Sequence, residues 1–216
     1  GIITHRRYDN KSNDWETSEL KEWLEDSGRE TVATAEPTRS RIGGIIRAGS
    51  IEGISQRTEA LLFAADRSDH TEQMQRWACE GKTVVCDRYF ASTVAYQSSG
   101  LDASSPDRGW LLALNSEFTR VPSVTLLLDI DPSESIARVE SRKEAKSKFE
   151  KEDYLRRVRM EYLRLAGEFG FRVIDASASG EEVFGEAKRI LEEVLRCIRP
   201  KRYWEREAGS SEEKRL

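Results

Sequence analysis

Acidic residues stand directly after three apolar runs of this sequence, and at two of them arginines stand beside the acid. Glu36-Pro37-Thr38-Arg39-Ser40-Arg41 follows the run from Thr31 to Ala35, and Asp87-Arg88-Tyr89 follows Thr83 to Cys86. Ile130-Asp131 follows Val124 to Asp129. A carboxylate can hold Mg²⁺ directly or through water, and a guanidinium grips phosphate in a bidentate fork. One Asp-Arg pair alone is equally a surface salt bridge, but two at the exits of strands of one sheet point to a phosphorylated ligand. A second cluster has another character: Arg138, Arg142, Lys143, Lys146 and Lys148 crowd one short segment. Phosphoryl transfer needs positioning and positive charge around the transferring group rather than covalent help. A cationic flap that closes over phosphates supplies that charge and excludes water. Each of these cations taken singly also fits a solvated charged loop.

The elements that must position these residues alternate between strand-like and helix-like. Gly1 to Thr4 is a short apolar start, and a helical pattern then carries Leu20, Trp23 and Leu24 as far as Gly28. Thr31 to Ala35 reads as a strand, Pro37 breaks it, and a helix begins near Ile42. Ser55 to Glu80 is helical, with Leu61, Leu62 and Phe63 expected inward. Thr83 to Cys86 and Val124 to Asp129 are continuously apolar, as buried parallel strands are. Helices are expected from Ser92, over 107–118, from Tyr154 to Glu168 and from Glu181 to Ile198, and a last strand over 171–175. This alternation predicts a three-layer α/β sandwich with a mostly parallel, five-stranded sheet. In such a sheet ligands bind beyond the carboxyl ends of the strands, where the acidic exits fall.

The whole reads as one domain over 1–199, with a charged lid at about 142–153 and a polar tail over 200–216. With 38% hydrophobic residues there is enough apolar material for a core, and a net charge of −4 offers no electrostatic case for a nucleic-acid partner. Cys79, Cys86 and Cys197 form no CxxC pair and no metal spacing, as expected of reduced thiols in a cytoplasmic protein. No apolar run reaches the length of a membrane span, and no signal peptide opens the sequence, so no membrane partner is expected.

The stretch DRYFASTVAYQ, Asp87 to Gln97, resembles thymidylate kinases, which have a strand ending in Asp-Arg-Tyr or Asp-Arg-His, then Ser and Ala-Tyr-Gln at this spacing. The matching residues are Asp87, Arg88, Tyr89, Ser92, Ala95, Tyr96 and Gln97. LLFAADR, Leu61 to Arg67, looks like that family's thymine-binding helix, and Glu36-Pro37-Thr38 followed by Ile42-Gly43 is similar too. LLLDIDP, the run bearing Arg138 and Arg142, Phe149-Glu150 and YLRRVRMEYLRLA (Tyr154 to Ala166) resemble its strand, lid and post-lid helix. The resemblance implies a P-loop-kinase fold and ATP- and Mg²⁺-dependent phosphorylation of dTMP to dTDP. It implies that Phe63 stacks on the thymine ring, Arg67 donates to a thymine carbonyl, and Arg88 holds the acceptor phosphate. It further implies Asp87 beside Mg²⁺ or its waters, Glu36 facing the sugar or the metal's water, and Ser92 and Gln97 lining the base pocket. Tyr96 would pack against the sugar. Asp87, Arg88, Arg142 and Lys148 are the catalytic candidates on this basis. A homodimer formed through helices is a further implication. Phe63 is otherwise a core residue, Arg67 an exposed helix arginine, and Tyr96 and Gln97 ordinary helix residues.

Two departures matter. The family's lid carries Asp-Arg-Phe-Glu where this sequence has Ser147-Lys148-Phe149-Glu150, and lysine keeps the charge but loses the fork. The P-loop pattern GxxxxGK, followed by Ser or Thr, has no match in the sequence. After Gly1 to Thr4 its slot reads His5-Arg6-Arg7-Tyr8-Asp9-Asn10-Lys11-Ser12, with His5 and Asn10 in the glycine positions. Lys11 and Ser12 are the candidate ATP-binding residues. Those glycines let backbone N–H groups cradle phosphates, so their absence predicts impaired turnover. A damaged N-terminus, an inactive nucleotide-binding protein and a phosphate site rebuilt around Arg6 and Arg7 stand as alternatives. A deoxynucleoside kinase stands beside them.

Overall fold

The computed structural model describes residues 2–7, 17–48, 53–100, 105–134 and 145–197. The two most apolar runs form the strands on either side of the central one. Ile2–Arg7 (β1), Thr31–Ala35 (β2), Thr83–Asp87 (β3), Val124–Asp129 (β4) and Arg172–Asp175 (β5) make one sheet in the order β2-β3-β1-β4-β5, with every pairing parallel. Val84, Val85 and Cys86 of β3 and Leu126, Leu127 and Leu128 of β4 are buried, as strands covered on both faces must be. The helices are Thr17–Asp26 (α1), Arg41–Arg47 (α2), Gln56–Cys79 (α3), Phe90–Gln97 (α4), Arg108–Ser116 (α5), Ala145–Phe169 (α6) and Gly180–Cys197 (α7).

Their starts follow from capping chemistry. Ser40, Ser55 and Asp107 each stand just outside a helix and accept from a backbone N–H three residues on, at 3.0–3.1 Å. Gly81 and Gly170, with φ of +92° and +68°, turn the chain out of α3 and α6, a backbone state in which a β-carbon is penalised.

Three expectations are corrected. β1 does not stop at Thr4: it runs to Arg7, with His5, Arg6 and Arg7 paired to Leu126, Leu127 and Leu128 and His5 also to Asp87. A central strand has ladder partners on both sides, and that backbone pairing extends it past its apolar residues. His5 to Arg7 therefore belong to the sheet, and the slot for a phosphate loop starts no earlier than Tyr8. Leu61 is 49% exposed. The buried stripe of α3 runs through Ala60, Ala64, Arg67, Thr71 and Met74, at helical spacing, and Leu61 lies one residue off it. The post-lid helix begins at Ala145 rather than Tyr154, so much of the expected lid is the N-terminal part of α6. Its Lys and Glu residues are good helix formers, and Glu152 accepts from Arg156 one turn on at 2.6 Å.

α6 is tied to the body along its length. Tyr154 Oη donates to the Tyr96 carbonyl at 2.9 Å, Arg157 Nε to the Ser99 carbonyl at 2.9 Å, and Tyr162 Oη to Ser92 Oγ at 2.8 Å. Arg159 donates to both oxygens of Asp129 at 2.8 Å and to Asp131 at 3.0 Å. Arg108 of α5 reaches Glu161 and Glu168. Among the described residues no helix is long and apolar enough to cross a membrane.

Candidate active site

Beyond the carboxyl end of β3 lies a cavity of about 480 Å³. Its wall brings together Glu36 from the end of β2, Phe63 and Arg67 from α3, Arg88 from the β3–α4 turn, and Ser92, Tyr96 and Gln97 from α4. Gln56, Glu59, Tyr89, Thr93, Gly100 and Tyr154 complete it. The volume falls in the range of small-molecule sites, about 300–1,000 Å³.

Arg67 is the most buried large side chain on this wall, at 1% exposure, and Glu36 is 4% exposed. A buried guanidinium needs charge compensation and hydrogen-bond acceptors in its plane. Glu36 Oε2 supplies both, 2.8 Å from Nε and 2.7 Å from Nη2. Asn115 Oδ1 accepts from Nη1 at 2.5 Å and Thr93 Oγ1 from Nη2 at 2.9 Å. The Tyr89 ring lies under the guanidinium, 5.7 Å from its carbon, and Tyr89 Oη bonds Thr71 Oγ1 at 3.0 Å and the Arg120 N–H at 3.1 Å. Burial pushes the Tyr89 hydroxyl above its ordinary value, so it stays protonated and can donate.

Both Glu36 oxygens are thus taken up inside the protein, the second by His70 Nδ1 at 3.0 Å. Glu36 acts here as the anchor of Arg67. Ser92 Oγ accepts from Tyr162. Gln97 donates from Nε2 to Glu59 at 3.1 Å, while its Oε1 is buried with no hydrogen-bond partner. Tyr96 stands edge-on to Tyr162, with ring centroids 6.2 Å apart.

Arg88 occupies left-handed backbone, φ +64°. An L-residue there costs about 1–2 kcal/mol, and such residues cluster at ligand sites. Asp87, one residue earlier, lines a different space. It faces a more open groove of about 920 Å³ with Thr38, Arg39 and Asp66. Asp66 orders the Glu36–Thr38 turn, whose Glu36-Pro37 peptide is cis. It accepts from the Thr38 N–H at 2.7 Å, Thr38 Oγ1 at 2.5 Å and Ser40 Oγ at 2.9 Å. Gly43 lets this turn sit against α2, since a β-carbon there would lie 2.0 Å from the Thr38 carbonyl oxygen.

The third acidic exit is neutralised. Asp131 is held below the usual carboxylate range first by the Ser133 hydroxyl and N–H and then by Arg159. Sequence reasoning missed that arginine because it arrives from α6. It also missed Tyr154, Thr93 and Asn115; His70, three residues after Arg67, had only its helical spacing as a signal. Lys11, Ser12 and Arg142 lie outside the described residues, as does the Lys148 side chain.

A five-stranded parallel sheet of this order, flanked by helices and with a cavity lined by arginines and aromatic rings at its carboxyl edge, is the fold of the P-loop kinase class. Residues 14–187 match the model of the thymidylate kinase family, and the chain belongs to that family. A "Probable thymidylate kinase" of Thermococcus kodakarensis is 41% identical over 190 residues, covering 82% of this chain and 89% of that protein. One of Pyrococcus horikoshii is 40% identical over 187 residues, covering 82% and 88%. A "Thymidylate kinase" of Oleidesulfovibrio alaskensis is 34% identical over 211 residues, covering 90% and 98%. These matches do not favour a deoxynucleoside kinase or an inactive binder. The family match starts at Asp14, after Lys11 and Ser12.

Proposed function

We propose that this chain transfers the γ-phosphoryl group of ATP to dTMP, yielding dTDP and ADP. The observation that carries this reading is that an aromatic ring, Phe63, a fixed guanidinium, Arg67, and a second guanidinium, Arg88, line one cavity. Phe63 stacks on the base, and Arg67 gives a thymine carbonyl the Nη1 hydrogen that Asn115 leaves over. Arg88 holds the acceptor phosphate, one oxygen of which forms the new bond to the γ-phosphorus as the bond to the β–γ bridging oxygen breaks. No general base is needed, because that oxygen is anionic at neutral pH. Tyr96 packs against the sugar, and Ser92 and Gln97 shape the base pocket.

Mg²⁺ suits the residues present. It is held through one or two carboxylates plus substrate phosphates rather than by an all-protein cage. Asp87, a hard oxygen donor at the strand exit beside Arg88, is such a carboxylate, and no larger metal-ligating cluster occurs among the described residues. When bound, Mg²⁺ neutralises charge on the phosphates. Arg142 and Lys148 belong to the same reading as lid cations, and Lys11 and Ser12 as contacts to ATP. A homodimer belongs to it too, supported by Ile45 of α2 and Leu61 of α3, which stand 45% and 49% exposed on helices that pack together. The setting is cytoplasmic. Calorimetry with dTMP, thymidine, AMP and CMP tests the assignment: dTMP should bind most tightly, and an absence of preference removes it.

A further inference from the structure

We propose that His70 is a positioning residue for base recognition, acting through Glu36 on Arg67. The proposal rests on the assignment of the cavity to dTMP. His70 is 5% exposed, stands on the wall of the neighbouring groove rather than of this cavity, and sits one helical turn beyond Arg67 on α3. Its Nδ1 is 3.0 Å from Glu36 Oε1 and its Nε2 2.8 Å from Thr34 Oγ1. A carboxylate oxygen only accepts, so Nδ1 carries the hydrogen, while Nε2 is hydrogen-bonded to the Thr34 hydroxyl. The imidazole therefore bridges β2 to the carboxylate and fixes the rotation of the Glu36 side chain.

That rotation decides where Arg67 points. Glu36 Oε2 holds Nε, the pivot of the guanidinium, while Asn115 and Thr93 hold its far ends. With Oε1 released, the carboxylate can turn about its terminal torsion, which is broad, and the guanidinium plane turns with it. Arg67 stays buried and paired, but its remaining Nη1 hydrogen no longer meets the base at a set angle. A guanidinium has donors only. Fixed in place, it donates to a thymine carbonyl and rejects the amino group that cytosine carries at that ring position. The loss of His70 should thus appear as lost discrimination rather than as lost binding alone.

The test is calorimetry of the full chain with dTMP and dCMP, alongside thermal unfolding, for the unmodified protein and for His70→Leu, His70→Asn and His70→Gln. The unmodified protein should prefer dTMP. In His70→Leu the dTMP:dCMP affinity ratio should fall by about tenfold or more, the worth of one hydrogen bond to a charged group. His70→Asn places an amide N–H where Nδ1 was and should keep most of the ratio. His70→Gln places its amide nearer Nε2 and Thr34 and should lose it. A His70→Leu protein with lower melting temperature but an unchanged ratio overturns the proposal, because His70 is then only structural. If His70→Leu does not fold, the Asn and Gln variants decide, and retention by Gln with loss in Asn overturns it as well. An unmodified protein without preference for dTMP overturns the dTMP reading itself, and the proposal with it.

Discussion

Replacing Arg67 by methionine removes the cation from a pair in which both members are nearly inaccessible to water, 1% and 4% exposed. Methionine fills much of the volume and adapts to the gap, so the cost is chiefly electrostatic. Glu36 keeps its His70 hydrogen bond but loses the guanidinium 2.7–2.8 Å from its other oxygen. Breaking a buried pair in this way costs about 3–5 kcal/mol. For a chain of this length each kcal/mol moves the melting temperature by about 2–4 °C, so Arg67→Met should lower it by about 6–20 °C. Adding Glu36→Gln removes the stranded charge and should recover most of the loss. The two single variants and the double variant form a cycle, read by urea and thermal unfolding of the full chain. A loss below about 1 kcal/mol for Arg67→Met, or no recovery in the double variant, would refute the view that a buried charge pair holds this wall together.

Four further outcomes are expected. Arg88→Ala should weaken dTMP binding by at least about tenfold with the fold intact, since each hydrogen bond to the charged phosphate is worth about 1.5–3 kcal/mol. Arg88→Gly should lose the same affinity yet melt higher than Arg88→Ala, because only glycine accepts φ +64° without penalty; equal melting temperatures would contradict that. Phe63→Ala should cost about 1–3 kcal/mol of dTMP affinity through lost stacking, and a drop in melting temperature with unchanged affinity would mark Phe63 as core. The chain as written should bind dTMP but turn over weakly for want of a glycine-rich phosphate loop. Substituting a GxxxxGKS loop for the residues between the end of β1 and Ser12, with the spacing to Trp23 shortened, should raise dTDP production by orders of magnitude, and robust production by the unmodified chain would defeat this expectation.

The inner strands were legible because Thr83 to Cys86 and Val124 to Asp129 are apolar without interruption, and burial on both faces demands that. The polar half of β1 was not, because His5 to Arg7 become strand only through neighbours about 80 and 120 residues away along the chain. The cavity residues could be read from local spacing in LLFAADR and DRYFASTVAYQ. What fixes them could not. Arg67 finds Asn115 at a separation of 48 residues and Glu36 at 31, and Arg159 finds Asp129 at 30. No local pattern encodes such partners; the packing of the helices chooses them. Leu61 shows the same limit in reverse, since three consecutive apolar residues on a helix cannot all face inward.

The continuity of α6 has a thermodynamic consequence. Its 25 residues make a rod about 37 Å long. From Tyr154 onward that rod is pinned to α4, β4 and α5, so any hinge for its N-terminal end lies before Tyr154. Tyr154 is also part of the cavity wall, with its hydroxyl on the Tyr96 carbonyl. A ligand that changes the position of Tyr154 therefore changes the free energy of the N-terminal end of α6. Linkage requires the reverse by the same amount: whatever draws that end down tightens the hold on the ligand. On the proposed reading, in which that end is the lid, the two nucleotides of the phosphoryl transfer are coupled through this one tyrosine.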